Sequence, residues 1–440
     1  MRRLLWVSHF LPYPPSGGVL QRGFGLLSHL APKFDIHLLA MNQPRLVAQT
    51  MKDVERPVEA IVDALSPYCK SIRVMPIPSE SSRFGRHRAV ALAALGGRSY
   101  TEQWLASREM AAAVVTALDD LKPDLAHFDT ISLAPYLRLA PSSLATSLGH
   151  HNIESHMMRR RARKATATPA RQLLHIESGR ILALERQFAP RVDVNVVCSD
   201  MDAVRLRRSA GARRVHVAEN GVLEPEVPAH MLADAATFAR VGRRMAFVGR
   251  MSAYTNRDAA DFLAREIWPA IGARFADASL DFVGSGAPQS AAKLAERDSR
   301  VRLHGFVKDV KDVVPPGTVF LCPVRDGGGT KLKILDAMNR GLPIIAHPIA
   351  VEGIQVIPGT HVLLARTPEE FVAAAERLLA STELRMSITR AAFELVRSRY
   401  AFEEIAAGLA RCFEQVIRDH QVAPRAAAAT PRPSIVRQGR

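Results

Sequence analysis

The sequence predicts an α/β protein of two doubly wound parallel-sheet domains, and three observations predict it. The chain has 440 residues, beyond the roughly 250–300 at which a single core stops growing. Short apolar runs alternate with helical patterns, as strands of a parallel sheet covered by helices on both faces require. That alternation breaks off after residue 222 and restarts near 245.

In the first half, strands are read at LLWVSH (4–9), DIHLLA (35–40), SIRVMPIP (71–78), DLAHFD (124–129), SLATSLGH ending at His150, VDVNVVCS (192–199) and VHVAE ending at Glu219. The opening MRRLLWVSHFLPYPP has too short an apolar stretch before His9 and Pro12 for a signal peptide, and reads as a buried strand. No segment approaches the roughly 20 apolar residues of a membrane span. A cytoplasmic protein is expected, peripheral at most on the inner face of the membrane. Ser199 caps the helix after it and Gly211 stands where that helix stops. ENGV (219–222) closes the first domain, 1–222, and a proline-bearing stretch without a clear strand follows.

The second domain, 223–400, carries strands at MAFVGR (245–250), LDFVGSG (280–286), VRLHGF (301–306), VFLCPV (319–324), PIIAH (343–347) and HVLLA (361–365). Its best-marked helix is TPEEFVAAAERLLA (367–380). Thr367 and Glu370 form a capping box around Pro368, with Phe371, Val372, Ala375, Leu378 and Leu379 on one face. A last helix, 401–421, is expected to cross back to the first domain. The Pro-, Ala- and Arg-rich tail 422–440 is expected to be disordered.

Hydrophobic residues at 48% and charged residues at 23% are ordinary for a globular chain. The balance of 59 Lys and Arg against 43 Asp and Glu leaves +16. Acidic partners follow: nucleic acid, an anionic membrane surface or a phosphorylated small molecule, unless the charge is only an Arg-rich proteome's habit. The basic residues lack aromatic interleaving, so no specific nucleic acid is expected. Cys69, Cys198, Cys322 and Cys412 show neither CxxC spacing nor His partners, which points away from zinc and disulfide frameworks and towards a reducing compartment.

Four motifs could carry chemistry. In DGGGTKLKILDAMNRGLPIIAH (326–347), Gly327, Gly328 and Gly329 follow a strand and lead into a helix starting near Thr330. Free amides at such a start, with the helix dipole, make an anion site, and Lys331 and Lys333 add charge. Asp336 either reaches ribose hydroxyls from that helix or is a solvated aspartate. The GxxxxGK[ST] spacing is absent, so ATP hydrolysis is not expected. In VGRMSAYTNRDAADF (248–262), Arg250 at a strand's C-terminal end points to the crevice where open α/β sheets bind ligands. Its guanidinium either clamps a diphosphate or makes a surface salt bridge. In PSGGVLQRGFGLL (15–27), Gly17 and Gly18 allow close backbone approach to a ligand or form a plain loop. In LGHHNIESHMMRRRARK (148–164), His150 and His151 end a strand. Lining of a cleft is preferred to metal binding, because Glu154 is the only acidic neighbour in sequence. The run MMRRRARK is a solvated face or a basic patch towards an anionic membrane.

Together these motifs resemble retaining glycosyltransferases of the GT-B fold, family four. The match is densest from Phe247 to Ile354, where FVGRMSAYTNRDAADFLAREIWPAI, LDFVGSG, VRLHGFVKDV, GGGTKLKILDAMNRGLPII and VEGI follow in the family's order. HHNIES and ENGV resemble its N-terminal-domain and hinge motifs. The resemblance implies two Rossmann-like domains facing each other across a cleft. The nucleotide diphosphate-sugar donor, UDP- or GDP-linked, would lie mainly on the second domain, with Arg250 and the amides of residues 329–331 on its diphosphate. Asn256, Gly328 and Thr330 belong to the same donor-binding motifs, and Asp336 takes the place of the ribose-binding glutamate. Gly17 and Gly18 would face the donor from the first domain, and His151 would sit near the transferred sugar as the catalytic residue. Two positions depart from the family. Its glutamate pair, eight positions apart, is here Gly328 and Asp336, and Thr255 replaces a proline before Asn256. The implied reaction is transfer with retention, with no metal and no further cofactor, to a lipid-linked or surface-polysaccharide acceptor. The alternative is a non-catalytic GT-B-fold or anionic-polymer-binding protein. A NAD-dependent dehydrogenase is disfavoured because no first strand is followed by GxGxxG.

Overall fold

The computed structural model describes residues 1–422 apart from Asp53, Pro225 and Gly328. The tail from 423 onward, where disorder is expected, lies outside the described residues. The chain divides into two compact units. One comprises Met1–Ala218 and the residues from 406 on, and the other Glu219–Ile405.

The first unit is built on β1 (Arg2–Ser8), β2 (Phe34–Asn42), β3 (Ser71–Pro76), β4 (Leu125–Phe128), β5 (Ala145–His150), β6 (Val194–Val197) and β7 (Val215–Val217). They form one parallel sheet in the order β3-β2-β1-β4-β5-β6-β7. The central strands are apolar on both faces because helices cover both. Leu4, Leu5, Val7, Leu125 and Phe128 are fully buried, whereas the edge strand β3 alternates between exposed and half-buried residues. From β1 the chain passes to β2 on one side, while β4 pairs on the other. The C-terminal ends of β1 and β4 therefore form the point where strand order reverses, the place where open α/β sheets bind ligands.

Local signals hold here as expected. The Ser199 hydroxyl accepts from the Asp202 amide, and Gly211, with φ +71°, ends that helix in the left-handed conformation. The helix Glu154–Lys164 that follows β5 is anchored from the helix Thr168–Phe188. The buried Glu185 carboxyl accepts from the Ser155 amide at 3.1 Å and the Ser155 hydroxyl at 2.6 Å. Burial pushes the Glu185 pKa up to about 7 from 4.5, against the pull of the Ser155 hydrogen bonds. The folded state thus binds this proton more tightly than the unfolded chain. The associated stability is present below pH 4.5 and lost as pH rises through about 7, for a swing of about 3 kcal/mol. Glu185→Gln should therefore be more stable than wild type by about 2–3 kcal/mol at pH 8 and equal to it near pH 4.5. Urea unfolding at both pH values checks this; equal stability at pH 8 would contradict it.

The second unit has β8 (Arg244–Val248), β9 (Ser279–Val283), β10 (Val301–Gly305), β11 (Val319–Cys322), β12 (Ile344–Ala346) and β13 (Leu363–Leu364). Their parallel order is β10-β9-β8-β11-β12-β13, with the reversal between β8 and β11. Phe247, Phe282, Phe320 and Trp268 fill its core. The helix Pro368–Ala380 buries Phe371, Ala374, Ala375 and Leu378, with Val372 and Leu379 partly buried. Thr367 caps the Glu370 amide, but Glu370 reaches back to the Arg366 amide at 2.6 Å, one residue before the expected partner. The ENGV segment pairs with the start of the helix Phe402–Val422. Val222 N donates to Tyr400 O at 2.8 Å and Phe402 N to Val222 O at 3.1 Å, and a Cβ on Gly221 would lie 2.7 Å from Tyr400 O. From residue 406 this helix belongs to the first unit. There Phe413 packs edge-on against Phe34, and the Arg2 guanidinium donates to Glu414 O. Among the described residues no helix is long and apolar enough to cross a membrane.

Candidate functional site

Each sheet presents chemistry-bearing residues where its strand order reverses. In the second unit, the loop after β8 carries Arg250 and the loop after β11 carries residues 323–331. Arg250 is exposed, and its backbone is fixed on both sides. Gly249 N donates to Val283 O at 2.9 Å and Met251 N to Ser285 O at 2.8 Å, so the loops after β8 and β9 interlock. Glycine is required where they cross. A Cβ on Gly284 would lie 2.1 Å from Gly249 O, and one on Gly286 would lie 2.8 Å from Ser252 N.

The loop after β11 is tied to the helix Tyr254–Phe262 by Arg325. Its guanidinium grips Asp258 with both arms, at 3.0 and 3.2 Å, and lies 4.2 Å from the Phe262 ring centroid. Gly327 has φ +110° and Gly329 φ +61°, so this turn depends on glycine at both positions. Gly328 lies outside the described residues. The helix begins at Leu332 and not near Thr330. Residues 329–331 therefore form the loop that precedes it, because Lys331 at the cap has an extended backbone, with φ −87° and ψ 96°. The amides left without intrahelical partners lie at the Leu332 end. Thr330 is buried, and Lys331 folds back so that Nζ donates to Gly329 O at 2.8 Å.

Asn256 and Lys333 build a support beneath Arg250. The partly buried Lys333 ammonium donates to Asn256 Oδ1 at 2.5 Å and Val248 O at 3.3 Å, and sits 4.8 Å from the Phe247 ring centroid. Asn256 Nδ2 in turn donates to Arg250 O at 2.9 Å. With a cation on one side and a carbonyl on the other, only one orientation of the amide fits. Asn256 thus uses both ends of its side chain inside the unit, and Lys333 is a partly buried brace where the sequence suggested charge added to the anion site. Burial pushes the Lys333 pKa down, opposed by Cys322 and Asp336. Lys333→Met should cost about 1 kcal/mol, the loss of hydrogen bonds to partly buried acceptors, read as a lower urea midpoint. Asp336, half-buried on the helix, acts electrostatically on Lys333 and Arg340.

In the first unit, Gly17 and Gly18 sit at the start of the helix Gly18–Leu30 with φ +76° and +58°. A Cβ on either would meet nothing within 4 Å. Backbone conformation, not crowding inside the chain, demands glycine there. His151 follows β5 and lies beside Asp129, which follows β4. His151 Nε2 is 3.3 Å from Asp129 Oδ2, and His9 Nδ1, after β1, is 3.6 Å from the same oxygen. His127 Nε2 is 3.8 Å from Oδ1, and Ser8 Oγ lies 3.5 Å from Oδ2. The strand ends come this close because position 149 is glycine, where a Cβ would lie 2.7 Å from Asp129 O. Burial pushes Asp129 towards the neutral acid, but the charge of His151 and contacts with His127, His151 and His9 outweigh it. They hold the carboxyl well below the ordinary carboxylate range. Burial pushes His151 down, against the pull of Asp129.

This corrects the sequence-based view of the histidine pair. Glu154 is not the relevant acid: it is half-buried beside Asn152, whose Nδ2 donates to it at 3.4 Å. His150 is a core residue, bonded through Nε2 to Asn195 Oδ1 at 3.0 Å, and burial pushes its pKa down to about 4. Asp129 and His9 were missed because each reads as the end of an apolar strand. The signal was available: β1, β4 and β5, which pair in that order, each have a titratable residue, His9, Asp129 and His151, at the first position after the strand.

Residues 242–381 match the family described as Glycosyl transferases group 1. That stretch contains Arg250, Asn256, Lys331 and Asp336. No curated protein matches the chain. Among solved structures the chain is similar to sucrose-phosphate synthase from Thermosynechococcus elongatus, at 18% identity and TM-score 0.64 over 95% of this chain and 100% of that one. It is also similar to HepE of Anabaena in complex with UDP, at 14% identity and TM-score 0.60 over 94% and 100%. A third likeness is to WaaG, a glycosyltransferase involved in lipopolysaccharide biosynthesis, at 13% identity and TM-score 0.59 over 93% and 99%. These likenesses show a shared fold, the two Rossmann-like units of GT-B.

Proposed function

We propose that the protein is a glycosyltransferase that moves a sugar from a nucleotide diphosphate-sugar to a glycan or lipid-linked acceptor, with retention of anomeric configuration. The observation that supports this most is the pairing of Arg250 with the glycine-rich loop at the β8/β11 reversal, inside the stretch that matches Glycosyl transferases group 1. Arg250 and the amides of residues 329–331 bind the diphosphate, and Asp336 takes ribose hydroxyls. Asn256, braced by Lys333, is a positioning residue that holds the Arg250 backbone in place. As the sugar leaves, negative charge grows on the diphosphate. A fixed guanidinium and fixed amides stabilise it without Mg²⁺.

The first unit takes the acceptor side. Gly17 and Gly18, at the start of the helix Gly18–Leu30, face the donor from this unit, and His151, beside Asp129, orients a sugar hydroxyl. No side chain serves as a covalent nucleophile, and no separate cofactor is invoked. HepE in complex with UDP makes a UDP-linked donor the first to try, and WaaG makes a surface glycan the first acceptor. The net charge of +16 suits a protein that works against an anionic membrane surface in the cytoplasm.

Calorimetric titration with UDP, GDP and ADP tests the donor site, with Asp336→Ala beside the wild type. Binding of one nucleotide, weakened about 10-fold or more in the variant, is expected for loss of a charge-assisted hydrogen bond. No binding of any nucleotide would favour a non-catalytic protein on the same fold.

A further inference from the structure

We propose that His9, Asp129 and His151 form a binding site for one divalent transition-metal ion of the zinc class. The three residues follow β1, β4 and β5, which are neighbours in the sheet, so the fold itself lines them up across three strand ends. His9 Nδ1, His151 Nε2 and a carboxylate oxygen of Asp129 lie within 4.8 Å of one another. Their donor set of two imidazoles and one carboxylate is the one that open zinc and related sites use, with further positions left to water or a ligand.

The distances fit an ion better than they fit a hydrogen-bonded pair. Ligand atoms about 2.0–2.1 Å from a tetrahedral centre stand about 3.3–3.4 Å apart, and here the two distances to Asp129 Oδ2 are 3.3 Å and 3.6 Å. Both nitrogens are buried and neither meets hydrogen-bond geometry, although each faces the Asp129 carboxylate. Two orphaned buried nitrogens would each cost about 1–3 kcal/mol, and a cation between them and the carboxylate removes that cost. The surroundings also suit an ion. His127 Nε2 lies 3.8 Å from the other Asp129 oxygen while its Nδ1 pairs with Ser147 Oγ at 3.0 Å, the kind of outer partner that orients a ligating carboxylate. Arg22 acts on His151 electrostatically, but its guanidinium donates to Ala218 O at 2.8 Å. The side chains of His9 and His151 are 12% and 9% exposed, so solvent reaches the site's rim.

The test is titration of tag-free, chelator-stripped protein with Zn²⁺ against a chromophoric competitor, with thermal unfolding in parallel. One ion per chain should bind and raise the unfolding temperature. His9→Gln and Asp129→Asn should weaken it by more than the about 10–100-fold that loss of an outer partner costs, while His175→Gln, an exposed histidine of the same unit, leaves it unchanged. If Asp129→Asn does not fold, His9→Gln at the solvent boundary decides alone. Absence of stoichiometric binding, or binding that His9→Gln leaves intact, overturns the proposal.

Discussion

Arg250→Ala should lower the rate of sugar transfer about 100- to 1,000-fold, the loss typical when one fixed donor to a developing oxyanion is removed. The fold should survive. Arg250 is exposed, and its backbone is held by the Gly249 and Met251 amides and by Asn256, none of which depends on the guanidinium. The variant should therefore unfold at the wild-type urea concentration while releasing nucleotide from the donor slowly. Arg250→Lys should recover only part of the rate, because an ammonium cannot present two parallel donors to a diphosphate. Transfer at the wild-type rate by Arg250→Ala would remove the residue from the diphosphate site and leave the loop after β11 as the whole of it.

The fold was legible because each strand is an apolar run bounded by turn residues, and every one of these runs became a strand. What was harder to read is whatever tertiary geometry decides. Thr330 could be taken for a helix start because the propensity pattern runs back to it, but the extended backbone of Lys331 delays the first turn to Leu332. Asn256 lies in a donor-binding motif, yet only the structure shows its amide held between Lys333 and Arg250 O. Asp129 is 22 residues from His151 in sequence, and a pairing of β4 with β5 is needed to bring them together.

The placement of positive charge is also something only the structure shows. In the second unit several basic groups converge on one acid: the fully buried Asp281 takes Arg244 at 2.6 Å, Arg302 at 2.9 Å and His304 at 2.7 Å. The burial of Asp281 favours the neutral acid, but these three partners hold its carboxyl below the ordinary range. This clustering fixes where two of the arginines lie and leaves the net charge of +16 unchanged.

Gly284→Ala should be the most damaging small substitution in the second unit, costing about 3 kcal/mol in stability and about 100-fold in transfer rate. The added Cβ would lie 2.1 Å from Gly249 O and 2.7 Å from Gly249 C, both backbone atoms that no rotamer change can move. Relief requires the ends of β8 and β9 to part, which breaks the bond from Gly249 N to Val283 O and shifts Arg250, whose amide is 3.4 Å from the same Cβ. Gly284 also has φ +129°, a conformation that alanine resists. Gly359→Ala is the control. Its φ is +83° but its Cβ would meet nothing within 4 Å, so it should show the backbone cost of about 1–2 kcal/mol alone and transfer sugar at the wild-type rate. If both variants lose stability equally and Gly284→Ala keeps its activity, the crossing of the two loops does not place Arg250. If only Gly284→Ala loses activity, that placement is what the glycine protects.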